Sequence, residues 1–200
     1  GHHSCAIQSG SAAVVCWGYN SHGQSTPPSS VDGTSGSATA IAAGLLHSCA
    51  IQSGSAAAIC WGSDSEGQST PPASVNGTSG SATSIAAGGY HSCAIQSGSG
   101  AVVCWGRDAL GQSTPPPSVN GTSGSATAIA AGAYHTCAIR SGTGAVVCWG
   151  YDVSGQSTPP DSVDGTSGSA TAIVAGWSHS CAVRSGTSAV VCWGSNAYGE

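Results

Sequence analysis

Apolar residues along the chain come in short runs of strand length, Ala12 to Trp17 being among the longest, separated by punctuation rich in Gly, Ser, Thr and Pro. No segment carries a 3.6-residue apolar period over a helical length, so an essentially all-β fold is expected. Near the start, the β-branched pair Val14-Val15 leads into Cys16-Trp17, which predicts a strand over Ala13–Gly18. His3–Gln8 reads as its antiparallel partner, and the small and β-branched residues of Ser37–Ala43 read as a third strand. Gly10-Ser11 suits a two-residue type II′ turn, with Gly taking the positive φ. That turn sets Ile7 opposite Val14, Cys5 opposite Cys16 and His3 opposite Gly18. Gly23 to Pro28 is a loop, because consecutive prolines do not fit a paired central strand, and Asp32 to Gly36 is a second turn.

The whole pattern then recurs. His3, His47, His91, His135 and His179 mark a gapless 44-residue step, giving units 1–44, 45–88, 89–132, 133–176 and a partial 177–200 within a single repeat domain, 1–200. Tandem small sheets at this period predict a β-propeller or propeller-like repeat array with about three strands per unit. The second Cys always follows the first by eleven residues, and residues facing each other across an antiparallel pair are close enough to bridge. Five intra-hairpin disulfides are therefore expected: Cys5 with Cys16, Cys49 with Cys60, Cys93 with Cys104, Cys137 with Cys148, and Cys181 with Cys192. Each should contribute about 2 to 3 kcal/mol by restricting the unfolded chain.

Gly44-x-x-His47-Ser48-Cys49-Ala50-Ile51, then Ile59-Cys60-Trp61-Gly62 and Gly67-Gln68, resembles the repeat of the regulator of chromosome condensation family. The likeness runs through all five copies, and bacterial members often carry this cysteine pair; β-lactamase inhibitor protein II is a more distant likeness. The resemblance implies a β-propeller, usually of seven blades, that acts as a binding platform. Gly23-Gln24-Ser25-Thr26 departs from the family's Gly-Gln-Leu-Gly, and no nucleotide-exchange residue can be carried over, so the chromatin role is not implied.

Composition narrows the partners. Arg107, Arg140 and Arg184 are the three Lys or Arg residues, and the net charge is -5, which argues against nucleic acid. No apolar run approaches the roughly 20 residues of a membrane-spanning helix, so no membrane insertion is expected. Ten Cys arranged as bridges point to an extracellular or cell-surface location. The chain starts at Gly1 without Met or a signal sequence, which reads as a processed product or the ordered part of something longer.

Five equivalent copies of His-Ser-Cys read as scaffold, since a catalytic site requires one arrangement unlike its surroundings. Neighbours on a strand also point to opposite faces, so His3 and Ser4 do not converge. No enzyme activity, metal or other cofactor is expected; the Cys-x-x-Cys knuckles of structural zinc sites are missing, and no carboxylate pair recurs as glycosidase or calcium sites require. The recurring His is expected to hydrogen-bond a neighbouring blade or loop backbone, and Trp17, Trp61, Trp105, Trp149 and Trp193 to pack between blades. Asn76 and Asn120 match the glycosylation sequon and would carry glycans in a eukaryotic secretory pathway, but Asn-Gly equally suits a turn.

Differences between copies fall in two stretches, just before the His and just after Trp-Gly, and the hairpin register brings both to the same end. Candidate binding residues on that face are Tyr19, His22, Leu45, Leu46, Asp64, Glu66, Tyr90, Arg107, Leu110, Tyr134, Tyr151, Trp177 and Tyr198; drift in exposed loops would produce the same variation. A protein or carbohydrate ligand fits such a rim. Copies of the chain itself are the alternative partner, because the first unit lacks a preceding "SATAIAA" strand. A neighbouring chain filling that edge would build an extracellular fibre or sheath by strand complementation.

Overall fold

The computed structural model describes residues 2–197 and Gly199. It holds fourteen strands in five antiparallel sheets and, among the described residues, no helix. The first sheet pairs β1 (His3–Ile7) with β2 (Val14–Gly18). The second runs in the order β3 (Ala38–Ala43), β4 (His47–Gln52), β5 (Ala58–Gly62). The third has β6 (Ala82–Ala87), β7 (His91–Gln96) and β8 (Val102–Gly106). The fourth has β9 (Ala126–Ala131), β10 (His135–Arg140) and β11 (Val146–Gly150), and the fifth β12 (Ala170–Ala175), β13 (His179–Arg184) and β14 (Val190–Gly194).

The third strand of each sequence unit thus leads the sheet of the next unit, which links consecutive blades covalently. β3, β6, β9 and β12 are the inner strands and touch one another in sequence order. The sheets do not close into a ring.

The hydrophobic core lies between blades and comes as four separate clusters, one per interface. Cys49, Ile51 and Ala58 of the second sheet, for example, meet Ala82, Ile85, Ala94 and Trp105 of the third. The period-2 alternation explains this: one side of each hairpin carries His, Cys and Ile toward the following blade, while the other carries Ser or Thr, Ala and Trp toward the preceding one. Trp61, Trp105 and Trp149 are each 8 % exposed, and each ring removes on the order of 150 to 250 Å² from water.

The register is as the sequence predicts, with Cys5 opposite Cys16 and His3 opposite Gly18, and the five disulfides join the expected pairs. The turn differs. Gln8 N–H donates to Ala13 O at 2.8 Å and Ala12 N–H to Gln8 O at 3.0 Å, so the loop spans Ser9 to Ala12 instead of Gly10-Ser11 alone. Its fourth residue must turn left-handed, with φ +54° at Ala12, +55° at Ala56 and +57° at Ser188. The third and fourth units place Gly100 and Gly144 there, and a Cβ on Gly100 would come within 3.0 Å of Ser125 Cβ. The left-handed region costs a non-Gly residue about 1 to 2 kcal/mol, and Gly gives back part of that in unfolded-chain entropy. Ala56→Gly should therefore stabilise the chain by about 0.5 to 1 kcal/mol in urea unfolding, whereas Gly100→Ala should destabilise it by a similar amount or more.

Candidate functional site

A buried polar relay holds adjacent blades in register. His47 Nε2 lies 2.9 Å from Ser92 Oγ of the next blade, and the Ser92 hydroxyl donates to Gln68 O at 2.9 Å. The same pattern joins His3 to Ser48 and Gln24, His91 to Thr136 and Gln112, and His135 to Ser180 and Gln156. Trp61, Trp105, Trp149 and Trp193 add their indole N–H to the same Gln carbonyls, at 2.9 to 3.0 Å.

Because each hydroxyl proton goes to a carbonyl, the hydroxyl oxygen must accept from the imidazole. This fixes the Nε2–H tautomer. The opposite nitrogen, Nδ1 of His3, His47, His91 and His135, is buried without a hydrogen-bond partner. Burial therefore holds His47, His91 and His135 neutral, lowering each pKa from 6.5 to about 4, and burial lowers His3 as well. The recurring His is a joint between blades. Its ring also packs on Gly44, Gly88, Gly132 or Gly176, where a Cβ would run into the imidazole.

At one end of the blades, the backbone ladder continues past the hairpin. Tyr19 N–H donates to His2 O, Ser63 to Leu46, Arg107 to Tyr90 and Tyr151 to Tyr134, which sets the two variable stretches side by side in these units. Nearer the axis, Leu45, Gly89, Ala133 and Trp177 surround a cavity of about 210 Å³ with the Ala-Gly ends of the inner strands.

Five of the sequence-predicted residues come together here. Tyr90 and Tyr134 stack with ring centroids 5.8 Å apart, and Tyr151 and Trp177 meet Tyr134 edge-on at 6.4 and 6.3 Å. The Arg107 guanidinium sits 5.7 Å from the Tyr90 centroid and 5.9 Å from that of Tyr134. Trp177 is 55 % exposed and also lines the cavity, beside Leu45.

The remaining candidates stand apart from this cluster. Tyr19 contacts His2 edge-on, His22 Nδ1 pairs with Ser21 Oγ, and Glu66 and Leu110 are exposed on loop tips. Leu46 is half-buried and makes none of these ring contacts. Asp64 closes its own loop instead, its carboxylate accepting from Ser69 N–H and from the Thr70 hydroxyl, as Asp108 and Asp152 do in theirs. Tyr198 lies outside the described residues. Asn76 and Asn120 cap turns through Oδ1 to Thr78 N–H and Thr122 N–H, and their Nδ2 atoms donate to Pro71 O and Pro115 O.

Sequence reasoning missed the Gln of the Gly-Gln dipeptide. Gln24, Gln68, Gln112 and Gln156 are fully or almost fully buried, and Oε1 of each caps the variable loop, as in Leu110 N–H to Gln112 Oε1 at 2.8 Å. Ser63 accepts from Gln68 Nε2 at 3.4 Å, whereas Tyr19 and Arg107 stand at the equivalent positions and leave Gln24 Nε2 and Gln112 Nε2 buried without partners.

Residues 82–112, 126–156 and 170–200 match the model of the Regulator of chromosome condensation (RCC1) repeat. Three stretches of the 44-residue pattern are thus similar in sequence to the RCC1 repeat. No curated protein sequence matches the chain. Among solved structures, the ectodomain of the receptor kinase CR4 from Physcomitrella patens superposes with TM-score 0.77 at 26 % identity, covering 96 % of this chain and 50 % of that one. The CRINKLY WD40 ectodomain of the Arabidopsis thaliana receptor kinase ACR4 gives 0.70 at 29 % identity, over 96 % and 60 %. Prp20p from Saccharomyces cerevisiae, described with its binding to Gsp1p and histones, gives 0.71 at 20 % identity, over 97 % and 55 %, a likeness of fold alone. The chain spans 50 to 60 % of the length of those relatives. Within the repeat, the His, Ser or Thr, Trp and Gln form the joint between blades, and the residues that differ from copy to copy cluster at one end of it.

Proposed function

We propose that the chain is a secreted or cell-surface, non-enzymatic binding platform whose variable face takes a protein partner. One observation carries this reading: on a frame whose joints recur every 44 residues, the residues that vary place Tyr90, Arg107, Tyr134, Tyr151 and Trp177 in mutual contact. Trp, Tyr and Arg are the residues in which binding energy concentrates at protein interfaces. A stiff frame also lets such residues bind with little ordering cost. Two receptor ectodomains among the structural relatives and five disulfides support an extracellular setting.

The test is selection of a phage-displayed random dodecapeptide library against the disulfide-intact chain, with negative-stain electron microscopy of the same sample. Discrete particles are expected, and most selected peptides should lose at least about tenfold in affinity against the Tyr134→Ala/Trp177→Ala double variant. Peptides that ignore this double change would overturn the site. Filaments of regular repeat would instead favour a structural protein built from copies of the chain.

A further inference from the structure

We infer that the variable face recognises an acidic segment of its partner: a carboxylate bound by Arg107, with an apolar side chain one or two residues away entering the axial cavity beside Trp177. This inference rests on the binding-platform reading above. Arg184 is spent between blades, donating to Ser162 O at 3.2 Å in the way that Gln52 and Gln96 donate to Ser30 O and Ser74 O, and Arg140 occupies the same repeat position. Arg107 is the cation left for the variable face.

Among the described residues, Arg107 has no counter-ion: no carboxylate lies within the 4.0 Å of an ion pair, and no hydrogen bond engages its guanidinium. The carboxylates nearest in sequence and in the equivalent loops, Asp108, Asp64 and Asp152, are each tied down by a backbone N–H and a Thr hydroxyl. The ring faces of Tyr90 and Tyr134 hold the guanidinium by cation–π attraction, which leaves its N–H edges free for an acceptor. A planar fork presented in this way matches a carboxylate through two parallel hydrogen bonds.

The position also carries a local cost. Where the second unit has Ser63, the buried Gln68 amide has its acceptor; where the third has Arg107, Gln112 Nε2 has none. Tyr19 in the first unit leaves Gln24 Nε2 in the same state, so neither residue is placed there to complete the joint.

The rest of the patch says what accompanies the carboxylate. Trp177 touches Tyr134 on one side and lines the cavity on the other, so the charged and apolar subsites are continuous. The cavity wall is Ala, Gly, Leu45 and Trp177, which suits an aliphatic or aromatic side chain. One cation on a chain of net charge -5 fits a single carboxylate and repels a polyanion.

The experiment uses peptides from the dodecapeptide selection and, in parallel, an array of neutral and uronic-acid saccharides. Selected peptides should share an Asp or Glu within two residues of Leu, Ile, Phe or Trp. Asp→Asn or Glu→Gln in a peptide, and Arg107→Gln in the chain, should each lower affinity about tenfold, and the two changes together should cost no more than either alone. Circular dichroism and thermal unfolding of Arg107→Gln confirm the fold, which this change at a half-buried side chain outside the core clusters should leave intact. Peptides that depend on Tyr134 and Trp177 but lack an acidic consensus, or that bind Arg107→Gln undiminished, would overturn the inference and leave the platform standing. If no peptide depends on the face, both fall. Capture of uronic-acid saccharides in place of peptides, lost in Arg107→Gln, would overturn the acidic-peptide assignment.

Discussion

Lowering the pH from 7 to below 4 is expected to cost the folded chain on the order of 10 kcal/mol, enough to unfold it. Three buried histidines set this figure, each with a pKa brought from 6.5 to about 4. Between those values the unfolded chain takes up protons that the folded chain refuses, so stability falls with pH throughout that window and levels off below it. One pKa unit corresponds to about 1.4 kcal/mol, which gives roughly 3 kcal/mol per histidine once the shift is fully felt, and about 2 each at pH 5. The geometry gives the same direction. Nε2–H already donates to a hydroxyl of the next blade, so an added proton must go to Nδ1, where His47, His91 and His135 have no acceptor. Urea unfolding followed by Trp fluorescence should show a stability falling steeply between about pH 6.5 and 4.5, and acid alone should unfold the chain near about pH 4 to 5. His91→Gln should start from lower stability at pH 7 and show about two thirds of the slope. A stability flat across this range would mean that the histidines find a proton acceptor, and the relay would have to be redrawn.

The relay also shows what the sequence revealed and what it hid. Strand register was legible, because alternating side-chain faces and two cysteines eleven apart admit few solutions; Cys5 against Cys16 followed from the pattern alone. The hairpin loop was not, since Gly-Ser fits both a two-residue and a four-residue turn. Gly100 and Gly144, standing where other units have Ala12, Ala56 and Ser188, were the available sign of a left-handed fourth position. Gln24 and its equivalents looked like loop punctuation because a Gln between Gly and Ser is ordinarily solvated. Its recurrence at 44-residue spacing was the clue that the amide is buried and caps the loop. Asp64 hides its role for a similar reason. A single Asn or Asp recurs at positions 20, 64, 108, 152 and 196, and a recurring carboxylate or amide in a loop closes the loop before it binds anything else. The candidate site was legible as a face but not as a cluster. Pairing placed the two variable stretches together; that Tyr90, Arg107, Tyr134, Tyr151 and Trp177 touch depends on how tightly the blades converge on the axis, which the Gly44, Gly88, Gly132 and Gly176 positions permit.

Reduction should be as damaging as acid. Each bridge closes a hairpin of sequence separation 11, worth about 2 to 3 kcal/mol, so five together contribute on the order of 10 kcal/mol or more, comparable to the whole stability of an ordinary domain. The apolar core cannot make up that loss. It is divided among four blade interfaces built largely of Ala, Val, Ile and one Trp apiece, and the chain has no Phe or Met to enlarge it. The fully reduced and alkylated chain should therefore be unfolded at about 25 °C by circular dichroism, while replacement of Cys93 and Cys104 by Ala should cost about 3 kcal/mol and leave a folded protein. Reduction without denaturant should be slower for the interior bridges than for Cys5–Cys16, because Cys49, Cys93 and Cys137 are inaccessible to solvent and attack is confined to their half-buried partners Cys60, Cys104 and Cys148. Mass spectrometry of the alkylated chain over time would read this directly. The outcome bears on where the protein works: a chain that folds only with its bridges formed requires an oxidising compartment, as a receptor-like binding platform has, whereas a reduced chain that stays folded would remove the main physical support for an extracellular role.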